Sequence, residues 1–198
     1  SEGGVFNERV EWYTGRGFWL DAPSVRLEQG KAVVRMEEGL QASASTTTYD
    51  TIGQVYDVEA RMKTDDLVQV YTKQITDALE ARYRQGGIQF GTLILEPVCM
   101  GAGGMIFVDP LFQRILVDLV RTNRDLFPDP SSDHSPLVSS LDSTPHWRGH
   151  PILFYDAFAG LRRSRRPNGP AFLGTSPDHA CYANTPTHRL SPVPAPLS

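Results

Sequence analysis

The stretch Gly91–Arg121, GTLILEPVCMGAGGMIFVDPLFQRILVDLVR, decides how the chain is read. Thr92 to Leu95 is apolar and β-branched with little alternation, which suits a strand buried on both faces. Glu96-Pro97 and a glycine-rich turn (Gly101, Gly103, Gly104) follow. Asp109 then suits an N-cap with Pro110 at the first helical position, and Leu111, Phe112, Ile115, Leu116, Leu119 and Val120 recur at helical spacing. A strand, a long loop and a helix are the first two-thirds of a βαβ crossover. Ligands in such folds sit at the carboxyl ends of the strands, where Glu96 and the glycines fall.

Upstream, residues 1–54 read as loops and short strands. Ser24–Glu37, with Val25, Leu27, Ala32, Val34 and Met36 alternating around Gln29-Gly30, predicts a hairpin. Residues 43–48, SASTTT, read as a polar connector. From Val55 to Arg84 apolar residues recur at three- and four-residue steps, with a break at Thr64-Asp65 that suits the cap of a second helix and a stop at Gly86-Gly87. Downstream of Arg121, a Pro-, Ser- and Asp-rich loop runs to about Pro145; loops of that length are mobile or functional. Pro151–Tyr155 reads as the next parallel strand. Seven prolines between Pro167 and Pro196 leave no periodic segment, which predicts a domain over 1–173 and a poorly ordered tail over 174–198.

Composition sets wider bounds. The chain has 198 residues, 40% of them hydrophobic, enough for one sizeable core. Its net charge of −4 gives no general pull toward nucleic acid. No stretch approaches the roughly 20 apolar residues that span a bilayer. The residues from Ser1 onward show no basic-then-apolar leader, so no secretory signal is expected, and the missing initiator methionine suggests a processed or excised segment. Cys99 and Cys181 form no metal spacing or disulfide framework, and His134, His146, His150, His179 and His188 show no metal-ligand pattern, so no metal is expected. Arg162, Arg163, Arg165 and Arg166 could meet phosphates of a cofactor or RNA, or form a solvated basic loop. Trp12, Tyr13, Phe18 and Trp19, with Arg16 as a carboxylate partner, read either as the lining of an aliphatic-substrate pocket or as a core patch. The glycine turn reads as an anion-binding nest or as a set of positive-φ positions. Glu96 reads as a ligand contact or as an acceptor for backbone N–H groups.

Four segments together resemble the class III, fold type I pyridoxal-phosphate aminotransferases, and within them the 7,8-diaminononanoate aminotransferase half of bifunctional biotin-synthesis enzymes of fungi and plants. They are VEWYTGRGFWLDAPSV (10–25), QVYDVEARM (54–62), LILEPVCMGAGGMIFVDPLFQRILVDLVR (93–121), and WRGHPILFYDAFAGLRR (147–163) followed by FLGTSPDHACYAN (172–184). The resemblance covers about Val5 to Asn184. It implies an α/β fold, part of an aminotransferase large domain, with a mainly parallel sheet, flanking helices and an irregular C-terminal tail. It also implies small-molecule substrates, amino transfer from S-adenosylmethionine to 8-amino-7-oxononanoate, pyridoxal phosphate as cofactor, and a homodimer or the remainder of the aminotransferase as partner. The compartment it implies is cytoplasmic or mitochondrial.

The resemblance also names two residues the chemistry needs. An aspartate at a strand end keeps the cofactor's ring nitrogen protonated, and a lysine links to the cofactor and moves the substrate proton. Laid on those motifs, PILFYDAF puts Tyr155 at the aspartate and Asp156 beside it, and CYANTPTH puts Asn184 at the lysine. Tyrosine lacks the charge and asparagine the nucleophilic amine. Tyr155, Asp156 and Glu96 are the residues left for cofactor contact, and no catalytic residue is retained. Among 19 cations only Lys31, Lys63 and Lys73 are lysines, all far from that motif in sequence. A non-catalytic binding or interaction protein, or a phosphate or RNA binder through the arginine cluster, is the alternative. A partial domain would also expose strand edges and apolar faces, which predicts marginal solubility or dependence on a partner.

Overall fold

The computed structural model describes residues 17–36, 45–86, 90–101, 104–123, 152–156 and 173–181. Strands β1 (Ser24–Glu28) and β2 (Lys31–Met36) form the hairpin the alternation predicts, with Val25 opposite Val34. Gln29 (φ 51) and Gly30 (φ 80) both sit in the left-handed region, the geometry of a two-residue hairpin turn whose twist matches the strands. Leu27, counted in the apolar alternation, stands 69% exposed close to the turn.

The polar connector expected over 43–48 is instead largely strand. β3 (Ser45–Tyr49) pairs antiparallel with β2 from Met36↔Ser45 to Ala32↔Tyr49. Its threonines are β-branched, and an available strand edge outweighs their polarity. The helical stretch divides into three pieces. These are α1 (Ile52–Tyr56), α2 (Val58–Thr64) and α3 (Leu67–Gly86). Thr51 and Gln54 form a capping box on α1, and the Asp57 carboxylate accepts from Ala60 N–H to start α2. Asp65 accepts from Leu67 N–H at 2.9 Å, placing the predicted second start at that aspartate.

After β4 (Thr92–Leu95) come the two-residue strands β5 (Cys99–Met100) and β6 (Ile106–Phe107), which pair antiparallel, and then α4 (Pro110–Thr122). Asp109 caps α4 with Pro110 in its first turn, as the sequence predicts. β7 (Ile152–Asp156) pairs parallel with β4 and completes the crossover; β8 (His179–Cys181) pairs parallel with β7, giving the order β4-β7-β8. The segment following Leu173, where the sequence loses its periodicity, thus supplies a sheet strand.

The expectation of a mainly parallel sheet needs correction among the described residues. Two of the three small sheets are antiparallel and one is parallel. Short connections at Gln29-Gly30 and around Gly101–Met105 favour antiparallel pairing, whereas parallel pairing needs a crossover such as α4. The expectation that β4 is buried on both faces also fails. Leu95 is buried, but Ile94 is 68% exposed, so one face of the strand packs and the other stands open.

One core holds most of the molecule together. Val25, Ala32, Val34 and Met36 of the hairpin meet Val55 and Val58, then Tyr71 and Ile75 of α3, and Leu111, Phe112, Ile115 and Val120 of α4. Tyr71 and Phe112 touch edge to face, with ring centroids 5.4 Å apart. The opposite side of α4 contributes Val117 to a smaller cluster with Leu95 and Leu173, flanked by Leu93 and Ala180. Helix α4 therefore lies between the main core and the parallel sheet.

Candidate functional site

The register of the parallel strands aligns their carboxyl ends. Leu95 lies opposite Tyr155, Tyr155 opposite Ala180, and Asp156 opposite Cys181. Glu96 follows the last paired residue of β4, so the backbone brings Glu96 and the Tyr155–Asp156 end of β7 to one edge of the sheet. Asn184 lies outside the described residues, as do Trp12, Tyr13, Arg16 and the arginine cluster at 162–166.

The turn that leaves β4 is tightly specified. Glu96 Oε2 accepts from Gly101 N–H at 2.6 Å, and the Cys99 N–H donates to the Pro97 carbonyl at 2.8 Å. From below, Gln113 on α4 donates through Nε2 to the Glu96 carbonyl (2.7 Å) and accepts through Oε1 from Val98 N–H (2.8 Å). Just past the second contact Val98 takes φ 71, a conformation that a β-branched residue avoids at a cost of about 1–3 kcal/mol. The Val98 carbonyl also accepts from Val108 N–H at 2.9 Å, joining the turn to the residue before the α4 cap. Gly104, at φ 92, supplies the positive φ that the glycine pattern suggests.

The same helix holds the segment that leads into β8. Arg114 Nη1 donates to the Leu173 carbonyl at 3.0 Å, and Arg121 Nη2 donates to the Ser176 carbonyl at 2.8 Å. Between them Gly174 adopts φ 62, which strains any other residue, and a Cβ there would lie 2.8 Å from Arg114 Nη1 and push the guanidinium from its contact. Leu173, fully buried, fixes this segment against α4 and β4.

At the N-terminal end of α4 lies a buried polar network. Arg61 grips the Asp109 carboxylate with both terminal nitrogens, at 2.6 and 2.9 Å. It also donates through Nε to Asp65 (2.7 Å), and through its remaining hydrogens to the Val55 carbonyl (2.9 Å) and Tyr49 Oη (2.8 Å). All five N–H donors of the guanidinium are thereby used. Tyr71 donates to Asp109 at 2.8 Å, and Tyr49 donates to Asp65. Burial opposes the charge on Arg61, but the hydrogen bonds and charge of Asp109, followed by Asp65, outweigh it and hold the guanidinium firmly protonated. Burial likewise opposes the charge on Asp65, and hydrogen bonds from Tyr49 and Arg61 pull its carboxyl below the ordinary value. Burial, then Asp109, pushes the Tyr71 hydroxyl well above the ordinary tyrosine range. The network joins β3, α2, α3 and α4.

Other expected site residues are scattered. Phe18 makes a tilted contact with Phe90 at 5.9 Å, and Trp19 is 52% exposed. Lys31 pairs with Asp50 and Lys73 with Asp77, both on the surface, and Lys63 is exposed on α2. Among the described residues no cluster of His, Cys, Asp or Glu could hold a metal ion, and no helix is long and apolar enough to cross a membrane. Sequence reasoning missed Gln113 and Arg61. The available signal was a polar residue on a packing stripe: Gln113 four residues before Val117, and Arg61 three residues after Val58.

No family model matches the chain. The bifunctional dethiobiotin synthetase/adenosylmethionine-8-amino-7-oxononanoate aminotransferase of Emericella nidulans is 41% identical over 201 residues, covering 98% of this chain and 24% of that protein. Bifunctional dethiobiotin synthetase/7,8-diamino-pelargonic acid aminotransferases of Arabidopsis thaliana and Oryza sativa are 32% and 29% identical, each over 94% of this chain. The chain is a relative of the aminotransferase half of these enzymes. It spans only 19% and 20% of the length of the two plant proteins, so the similarity is to one portion of a long polypeptide.

Proposed function

We propose that this chain derives from the large domain of a biotin-pathway aminotransferase and that, on its own, it does not carry out amino transfer. The observation that carries this reading is the pair of departures at the motif positions, Tyr155 for aspartate and Asn184 for lysine. The parallel register supports it, because Tyr155 sits at the end of β7 beside the end of β4, the location at which a strand-end carboxylate would be required. The residues at hand do not fit pyridoxal phosphate as an enzyme of this family would use it. When bound in such enzymes the group serves as an electron sink, which depends on a charged partner at its ring nitrogen. A phenol supplies no such charge, and an amide supplies no nucleophile.

Under this reading the substrates of an intact relative, an amino donor and 8-amino-7-oxononanoate, are small molecules, and the partner is a second copy or the rest of the aminotransferase. The plant relatives are described as mitochondrial, and mitochondrion or cytoplasm is the compartment we propose. The deciding experiment is a titration with pyridoxal phosphate, followed by borohydride reduction and mass mapping. No specific adduct is expected. Stoichiometric labelling of one lysine among Lys31, Lys63 and Lys73 would overturn the inactive reading.

A further inference from the structure

We infer that Gln113 is a positioning residue: it sets the shape of the turn that carries Glu96 at the carboxyl edge of the parallel sheet. Its relevance to ligand binding rests on the proposed reading of that edge. The pairing of β4 with β7 ends at Leu95↔Tyr155, so the next peptide groups need other partners. The Gln113 side chain offers a carbonyl and an N–H in the arrangement of a peptide unit. It meets the Glu96 carbonyl at 2.7 Å and the Val98 N–H at 2.8 Å. Its residue is only 5% exposed, which keeps water from taking over either contact.

The Gln113 contact at the Val98 N–H and the Val108 N–H donated to the Val98 carbonyl (2.9 Å) flank Val98, whose φ of 71 is not one that valine prefers. A turn left to local preference would relax from this conformation; Gln113 fixes the peptide groups on its N-terminal side, and Val108 N–H holds the carbonyl that follows. The consequence reaches the carboxylate. Gly101 N–H bonds to Glu96 Oε2 at 2.6 Å, and that contact requires the intervening turn to keep its path. Gln113 touches neither of those atoms, so any effect on them passes through the backbone of residues 96–98.

Amide hydrogen exchange tests this without a ligand. In Gln113→Met, of similar length but without the amide, exchange at Gly101 should accelerate by at least about tenfold while Ile75 in the main core keeps its protection. In Gln113→Glu the lost donor returns when the introduced carboxyl is protonated. Gly101 protection, corrected for intrinsic exchange and taken as a ratio to the unsubstituted protein at each pH so that the Glu96 carboxylate's own protonation cancels, should then rise as pH falls. Unchanged Gly101 protection in Gln113→Met, or a loss shared in equal ratio by Ile75, would overturn the proposal. So would a Gln113→Glu profile whose ratio to the unsubstituted protein does not vary with pH. Because exchange needs no cofactor, these outcomes are independent of the pyridoxal-phosphate titration, and failure of either reading is seen separately.

Discussion

Helix α4 meets two different neighbourhoods. Toward the hairpin and α1–α3 it presents Leu111, Phe112, Ile115 and Val120 to a broad apolar core, with Asp109 gripped by Arg61 at its start. Toward the parallel sheet it presents Val117 to a small cluster and otherwise reaches out with side-chain hydrogen bonds from Gln113, Arg114 and Arg121. Apolar area secures the first side, while directional contacts to backbone secure the second. Burial is non-directional and sums over many groups, whereas hydrogen bonds fix geometry at modest net stability. The candidate site lies on the side where geometry is held and stability is thin, the usual distribution around binding loops.

The largest expected effect lies on the first side. Arg61→Leu leaves Asp109 and Asp65 buried without their cation, and breaking such a pair costs about 3–5 kcal/mol. Urea unfolding monitored by circular dichroism gives the value. A loss below about 1 kcal/mol, the scale of a surface ion pair, would mean that water reaches the network.

The same side sets an alkaline limit. Burial, followed by the Asp65 hydrogen bond, raises the Tyr49 hydroxyl; burial and Asp109 raise Tyr71; and burial, then Cys99, pushes Tyr56 up to about 12. An unfolded tyrosine loses its proton near pH ~10. Above that the unfolded chain binds fewer protons than the folded one, so stability, fully present below pH ~10, declines as pH rises toward the folded values. The urea midpoint should therefore fall progressively above pH ~10, with tyrosinate absorbance from the buried hydroxyls appearing only on unfolding. Tyrosinate developing in the folded chain at that pH would remove the distinction between the faces.

On the sheet side the expected cost is smaller. Leu173→Ala removes the only residue of the 173–178 segment in the apolar cluster, and should cost about 2–3 kcal/mol, the low end for such truncations because a small cluster can collapse around the gap. A loss equal to that of Arg61→Leu would show that the two faces contribute alike.

How far this division could be read from sequence depends on what kind of signal each part leaves. The hairpin, the capped α4 and the crossover to β7 were legible because alternation, a cap with proline and a β-branched run are local patterns. The strand character of Ser45–Tyr49 was hidden by its threonines, whose place is decided by the edge of β2. β8 has three residues in a proline-rich stretch, too few to show a period, and depends on Arg114 and Arg121 acting from 55 to 59 residues away. At the candidate site Glu96 could be named because it ends a strand. Gln113 and Arg61 could not, since the groups they satisfy are brought to them only by tertiary packing.

The smallest expected effect tests the open side of β4. Leu95 and Ile94 are neighbours in sequence, yet the strand's pleat turns one into the cluster with Val117 and Leu173 and leaves the other 68% exposed. Apolar surface already in water contributes little to folding, so Ile94→Thr, which keeps the β-branch, should change stability by no more than about 0.5 kcal/mol. The same substitution at Leu95 would place a hydroxyl without a partner among apolar side chains and create a gap, and should cost several times more. Unfolding curves for the pair, taken at two protein concentrations, give the contrast directly. If Ile94→Thr lost as much as Leu95→Thr at both concentrations, the second face of β4 would have to be covered within the chain, restoring the doubly buried strand that its composition suggests. A loss that appeared only at the higher concentration would place the cover in a second molecule.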